Sequence, residues 1–438
     1  MTANDTTEPR TFIEAATRPR DRSSLPSPPD IGEQSSPLPP EPVRKWPGGI
    51  RMDFLYGCRI KFPDEGGPWH VLIGDADTGV MLHDTVCGAG QLFMSDKKYY
   101  VRFDVVITDI WSGETVLRYV LDLSGEVVLI HMPAPPLGDT LAWLPYADAF
   151  RERHGCRCTA VICEKYVPLF EKQYPWLALI TPEQMRQTEP FACYSIHIYW
   201  NLPWEEQLDH MPMDHRAIGL HRMAAVMLGL DPEQELRPKL DLSAPRKIAE
   251  PYVCIAVQST TMSKNWTFPE GWIHVVEWLK AQGYRVLCVD QRRCETGGIV
   301  SNYIPWGCED FTGDLPLQER VDLIKDADMF IGLASGLSWL AWGCGVPVVL
   351  IGGFSLPFTE FYTPYRVINR HACCGCWNDP RYTFDKLDWT WCPHFKDTDR
   401  QHECMRLITP KMVIETIERV RRENGDEDID ARVHGVGA

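Results

Sequence analysis

The run PYVCIAVQSTTMSKNWTFPEGWIHVVEWLKAQGYRVLCVD, residues 251–290, decides the fold class. YVCIAVQ is an unbroken apolar run of strand length, STTMSKNWTFPEG is a polar loop, WIHVVEWLKAQG has the spacing of an amphipathic helix, and YRVLCVD is a second buried strand. Strand, helix and strand in this order is the sequence form of a parallel sheet covered by helices. The series continues forward through the helix LPLQERVDLIKDA, the strand DMFIGL, the helix SGLSWLAWGCG and the strand VPVVLIG. Within it, Met329–Thr359 carries no charged side chain, but Gly332, Gly336, Gly343, Gly345, Pro347, Gly352 and Gly353 cut it into short pieces. It therefore reads as the centre of a parallel sheet and not as a membrane span.

Working backward, EVVLIHMP, APPLGDT, LAWLPYADAFRERHG, CRCTAVIC, EKYVPLFEKQYP and LALIT repeat the same alternation. Two doubly wound α/β domains are expected, residues 126–240 and 241–370, joined near DPEQELRPKLDLSAPRK. Their ligand sites should face a shared cleft, where strands end and helices begin. Residues 48–125 carry alternating or β-branched runs such as WHVLIG and YYVRFDVVITDIW between turns, and read as a small antiparallel all-β domain serving docking or assembly. Residues 1–47 hold ten prolines and few large apolar residues, as expected of a disordered leader. A finger is expected over 371–408, and a helix with a tail over 409–438.

The finger is defined by cysteines: five of the chain's sixteen lie in HACCGCWNDPRYTFDKLDWTWCPHFKDTDRQHECM, residues 371–405. Cys373 and Cys376 form a CxxC knuckle, and Cys392 and Cys404 follow at spacings suited to a closed tetrahedral thiolate site. Such a site is structural, having no open position. Cys374, His371, His394 and His402 are spare ligands nearby, and reduced, half-buried cysteines without metal are the alternative. The ion's identity is open between zinc and iron on these residues alone.

The length of 438 residues suits two or three domains, and 44% hydrophobic with 24% charged residues is the composition of a globular protein. A net charge of −16 argues against nucleic-acid binding. The N-terminus lacks the apolar core of a signal peptide, so the expected setting is the cytoplasm, with the cysteines reduced.

Three strand-to-helix loops hold the polar groups. In Leu137-Gly138-Asp139-Thr140, Asp139 either caps a helix or stands in the cleft as a general base. In Ser259-Thr260-Thr261-Met262-Ser263-Lys264-Asn265-Trp266, hydroxyls, amides and one ammonium form either a phosphate cradle or a polar surface turn. In Gly332-Leu333-Ala334-Ser335-Gly336-Leu337-Ser338, small residues allow either close approach to a diphosphate or tight strand-to-helix packing.

In this order the loops resemble the ADP-heptose glycosyltransferases of the lipopolysaccharide inner core, through GDTLAWLPY, QSTTMSKNWTFPEGW and ASGLSWLA. The chain is more similar still to the bacterial autotransporter heptosyltransferases, which add an N-terminal β domain and a cysteine cluster of the form CCGCWND...FD..DW.WCP...EC. The resemblance runs from about Gly49 to the C-terminal helix. It implies a GT-B fold with two Rossmann-like domains and inverting transfer of heptose from ADP-heptose to serines of an autotransporter adhesin passenger domain. Asp139 would be the general base. Lys264 would hold the diphosphate with Thr260, Thr261, Ser335, Gly336 and Leu337 beside it. Iron would sit on Cys373, Cys376, Cys392 and Cys404, and the chain would form a large ring-like homo-oligomer. Ala334 and Trp339 replace the Asp and His of the lipopolysaccharide enzymes, so the sugar contacts of those enzymes do not transfer. A lipopolysaccharide heptosyltransferase and a non-enzymatic metal-binding assembly protein are the alternatives.

Overall fold

The computed structural model describes residues 39–133, 136–199, 202–292, 295–296 and 301–425. Residues 1–38 of the expected leader and 426–438 of the expected tail lie outside the described residues.

Strands β1 (Arg51–Leu55), β2 (Arg59–Lys61), β3 (Trp69–Asp75), β4 (Met81–Cys87), β5 (Leu92–Met94), β6 (Phe103–Asp109) and β7 (Thr115–Val120) occupy the first part of the described chain. They divide between two sheets. The order β4-β3-β6-β7 forms an antiparallel four-stranded sheet whose β3 and β6 alternate buried and half-buried residues. β1, β2 and β5 instead extend the sheet of the first α/β unit, whose other strands are β8 (Val127–His131), β9 (Arg157–Val161), β10 (Ala178–Ile180) and β11 (Ala192–Ser195), in the order β10-β9-β8-β11-β1-β2-β5. Because β1 pairs in parallel with β11, three strands of the β region at 48–125 also belong to the first α/β sheet. The physical reason lies in β1 itself: Met52, Asp53, Phe54 and Leu55 are all buried, so both faces are covered, as in a central strand. The end of the expected leader is also ordered. Lys45 bridges Arg51, and Arg59, paired with buried Asp53 through contacts of 2.8 Å, reaches Pro39 O at 3.0 Å.

The second sheet is wholly parallel. Its strands are β12 (Tyr252–Ile255), β13 (Arg285–Cys288), β16 (Glu309–Asp310), β17 (Met329–Leu333), β18 (Val348–Ile351) and β19 (Arg366–Val367), ordered β16-β13-β12-β17-β18-β19, with a hairpin of β14 (Glu295–Thr296) and β15 (Ser301–Asn302) outside it. The longer helices are α1 (Leu137–His154), α2 (Leu220–Met227), α3 (Gly271–Ala281), α4 (Leu317–Ile324), α5 (Gly336–Gly343) and α6 (Pro410–Glu423). Among the described residues no helix is long and apolar enough to cross a membrane.

Both sheets reverse strand order at a point that matters for ligands. The first reverses between β8 and β11, the second between β12 and β17. Successive connections leave on opposite faces there, and a crevice opens at the carboxyl edge. α1 follows β8, the Ser259–Lys264 loop follows β12, and the turn into α5 follows β17. All three polar loops thus stand at switch points.

Candidate active site and thiolate cluster

α1 begins after Pro136, which occupies the cap position without a side-chain cap bond, so Asp139 in the first turn is not the capping residue. Burial pushes its carboxyl up to about 6, against the opposing pull of the Lys264 and Lys386 ammonium groups. A carboxylate in that range can take a proton near neutral pH. α1 meets α5 at their first turns: a Cβ on Gly336 would stand 3.0 Å from Leu137 Cβ, and one on Gly138 would stand 3.1 Å from Trp339 Cδ1. Trp339, buried, seals this junction with Phe361 and Trp342.

The loop after β12 is held at both ends. The Asp290 carboxylate accepts from Val257 N at 2.8 Å and Gln258 N at 3.2 Å, and Ser259 Oγ donates to Thr261 O at 2.7 Å. The loop then forms a short 3-10 turn, Met262–Lys264. Lys264 is partly buried; desolvation lowers its pKa, while Glu360 and Asp139 pull it back up. Its ammonium lies over the Phe354 ring, 5.4 Å from the centroid. Thr260 is exposed. Thr261 is buried, and its hydroxyl bonds Trp389 O at 3.2 Å, so this side chain fastens the loop to the finger. Ser335 Oγ is buried and has no hydrogen-bond partner among the described residues, Gly336 opens α5, and Leu337 packs on the main core.

In the finger, Cys373 Sγ and Cys376 Sγ are 3.9 Å apart, close to the roughly 3.8 Å between two thiolates on one tetrahedral ion. The donor set fits a thiophilic metal. The tight group is Cys373, Cys376 and His394. The contact with Cys373 and burial push the Cys376 thiol up, and the buried Cys404 and Cys392, outside that group, are near enough to add to it. His394, held by Tyr382 Oη at 3.3 Å, thus ranks above His371 and His402 as a spare ligand. An aromatic nucleus of Phe354, Trp377, Phe384 and Trp391 surrounds Cys376.

Several residues of the site carried no local sequence signal. Lys386 sits in the finger, yet its charge bears on Asp139 and on His197. His131 ends β8 and His197 follows β11, both at the first switch point; burial lowers each to about 4, so both are neutral imidazoles. Tyr56 Oη is 3.4 Å from His131 Nδ1. Asp290 could have been marked, since a carboxylate at the carboxyl end of a buried strand needs amide partners.

Residues 46–113 match the N-terminal domain of glycosyltransferase TibC, and residues 217–381 match glycosyltransferase family 9 (heptosyltransferase). The autotransporter heptosyltransferase BAHTCr of Citrobacter rodentium is 48% identical over 383 residues, 87% of this chain and 92% of its own. The autotransporter heptosyltransferase TibC of Escherichia coli is 45% identical, covering 90% of this chain and 95% of its own. The TibC crystal structure, an iron-containing dodecamer, aligns with a TM-score of 0.83 over 88% of this chain and 99% of that chain, and TibC has also been crystallised with ADP-D-β-D-heptose. BimC of Burkholderia thailandensis, named an inactive autotransporter heptosyltransferase, is 37% identical, covering 87% of this chain and 89% of its own. The two doubly wound sheets and cleft described above are the GT-B arrangement of these glycosyltransferases.

Proposed function

The chain belongs to the autotransporter heptosyltransferases, and from that footing we propose that it transfers heptose from ADP-heptose to serine hydroxyls of an autotransporter adhesin passenger domain, inverting the anomeric carbon. One observation carries the reading: Asp139, at the switch point of one sheet, lies in the field of Lys264, at the switch point of the other. A base and an anion-stabilising cation thereby flank a cleft.

Asp139 takes the proton of the acceptor hydroxyl as its oxygen attacks the anomeric carbon from the face opposite the diphosphate. The bond from that carbon to the diphosphate oxygen breaks, and ADP leaves with the bonding pair. Lys264, held over Phe354, stabilises the charge that builds on the departing phosphate, with the Ser335 hydroxyl and the first amides of α5 beside it. Thr260, Gly336 and Leu337 line the same diphosphate path. One base and one displacement give inversion.

One iron ion held by Cys373, Cys376, Cys392 and Cys404 is the reading for the finger, supported by the Sγ separation and by the iron of TibC; zinc suits the same donors. The ion would supply rigidity. The reading as a homo-oligomer is supported by the dodecamer of TibC and by the exposed Trp111, Trp306 and Leu387. Transfer would precede export, in the cytoplasm.

The test is co-expression of a passenger domain with this protein in cells making ADP-heptose, read by intact mass. Heptose increments on serine, absent with Asp139→Asn, are the expected result. An unmodified passenger with labelled lipopolysaccharide core would transfer the activity to the lipid reading, and neither product would leave a non-enzymatic protein.

A further inference from the structure

We infer that the thiolate finger is the clamp of the donor loop, so that metal binding at the cysteines and nucleotide-diphosphate binding at Lys264 are thermodynamically linked. The inference rests on the proposed donor role of that loop and goes beyond it.

Two sets of contacts join the elements. Asp388–Trp391 is a tight turn, closed by Trp391 N donating to Asp388 O at 3.0 Å, and its next three carbonyls are shared between two segments. Trp389 O receives Met262 N at 3.1 Å and Thr261 Oγ1 at 3.2 Å, and Trp391 O receives Ser263 Oγ at 2.8 Å. Thr390 O, between them, accepts from Gln401 Nε2 at 3.2 Å and lies 3.2 Å from His402 Nε2. Trp391 precedes Cys392, and His402 stands two residues before Cys404. The strip gripping the loop is therefore itself bounded by thiolates. The second set runs through the knuckle: Gly375 N donates to Gly353 O at 2.8 Å and Trp377 N to Phe354 O at 3.1 Å. Phe354 is the ring beneath the Lys264 ammonium.

Thr261 and Ser263 are buried, so their hydroxyls have no water to fall back on when the finger shifts. Between Cys373 and Cys404 the regular structure is a 3-10 turn, Cys376–Asn378, and the start of the short helix Glu403–Arg406. Such a segment keeps its shape through cross-links, and a metal would supply them. Losing the metal frees the carbonyls of Trp389 and Trp391 and lets Phe354 move. The loop then pays ordering entropy when it closes on a diphosphate. Linkage is reciprocal, so the diphosphate must tighten the metal by the factor by which the metal tightens the diphosphate.

The experiment measures ADP affinity by calorimetry, metal content by elemental analysis, and the chelator concentration that removes half the metal with and without ADP. It uses the full chain and the variants Ser263→Ala and Thr261→Val. Expected are a Kd for ADP about tenfold higher in each variant with the metal retained, a comparable rise on stripping the metal from the parent protein, and a chelator midpoint that ADP raises in the parent and raises less in the variants. Donor KM should rise more than kcat falls. Unchanged ADP affinity after stripping, or a midpoint indifferent to ADP, overturns the linkage. Metal-loaded parent protein that does not bind ADP at all sinks the donor-loop assignment itself, and the linkage with it.

Discussion

Gly336 and Gly138 stand against each other where the two sheets meet, a Cβ on Gly336 falling 3.1 Å from the Gly138 nitrogen. Both lie one or two residues from groups assigned to chemistry, Ser335 and Asp139. Gly336→Ala is therefore expected to push the first turns of α1 and α5 apart by a few tenths of an ångström. Small displacements at a reacting centre are costly, so heptose transfer should fall about tenfold or more, with stability reduced by about 1–3 kcal/mol. Rate and denaturation midpoint measured together check this; an unaltered rate would show that the junction does not set the catalytic spacing.

Asp139→Asn should lower kcat about 10²- to 10⁴-fold while ADP binding persists. With its carboxyl at about 6, kcat/KM of the parent enzyme should drop tenfold per pH unit below that value and level off above it. The sign for stability is opposite. A carboxyl raised by burial holds its proton more tightly when folded, so folding is favoured below its ordinary range and loses that advantage as pH climbs through about 6. The Asn variant should then melt at a higher temperature than the parent above pH 6, which thermal scans across pH would reveal.

Lys264→Ala should weaken ADP binding about tenfold or more, since a charge-assisted contact is removed. It also removes an ammonium that lowers the Asp139 carboxyl, so the acid limb of the rate profile should move to higher pH. ADP affinity equal to that of the parent would refute the assignment.

Metal content separates the ligand choices at the finger. Cys392→Ser and Cys404→Ser should each release the ion, and His394→Ala should keep it, as measured by elemental analysis of purified protein. Release by His394→Ala with retention by Cys404→Ser would make the imidazole a ligand, a geometry the Cys373, Cys376 and His394 group already allows.

Asp53→Ala should destabilise the first α/β unit by about 3–5 kcal/mol, because Arg59 is left charged and buried. Chemical denaturation followed by tryptophan fluorescence would measure the loss; replacing both partners with apolar residues should recover much of it.

In the second sheet β12, β13, β17 and β18 are legible because each is a short apolar run beside a helix of plain periodicity, whereas Glu309–Asp310 and Arg366–Val367, two residues each and charged, carry no strand signal; the three polar loops fall at the punctuation of the two sheets. β1 is harder to read: RMDFL sits among alternating runs, although MDFL does not itself alternate. A hydroxyl in a loop has no visible direction in sequence, and the Thr261 hydroxyl meets Trp389, 128 residues away. Lys386 and His197 are hidden for the same reason. Spacing reports what lies within a turn or a pleat, and these contacts join segments far apart in the chain.

The parallel pairing of β1 with β11 has a bearing on biosynthesis. Every strand of the first sheet lies between Arg51 and Ser195, so that sheet can close as soon as Ser195 has left the ribosome, before Tyr252 opens the second. The nascent chain would carry a closed first sheet while the second is still being translated. The loop bearing Lys264 emerges later still, and it waits for Trp389 and Trp391, over a hundred residues behind, before its grip is complete.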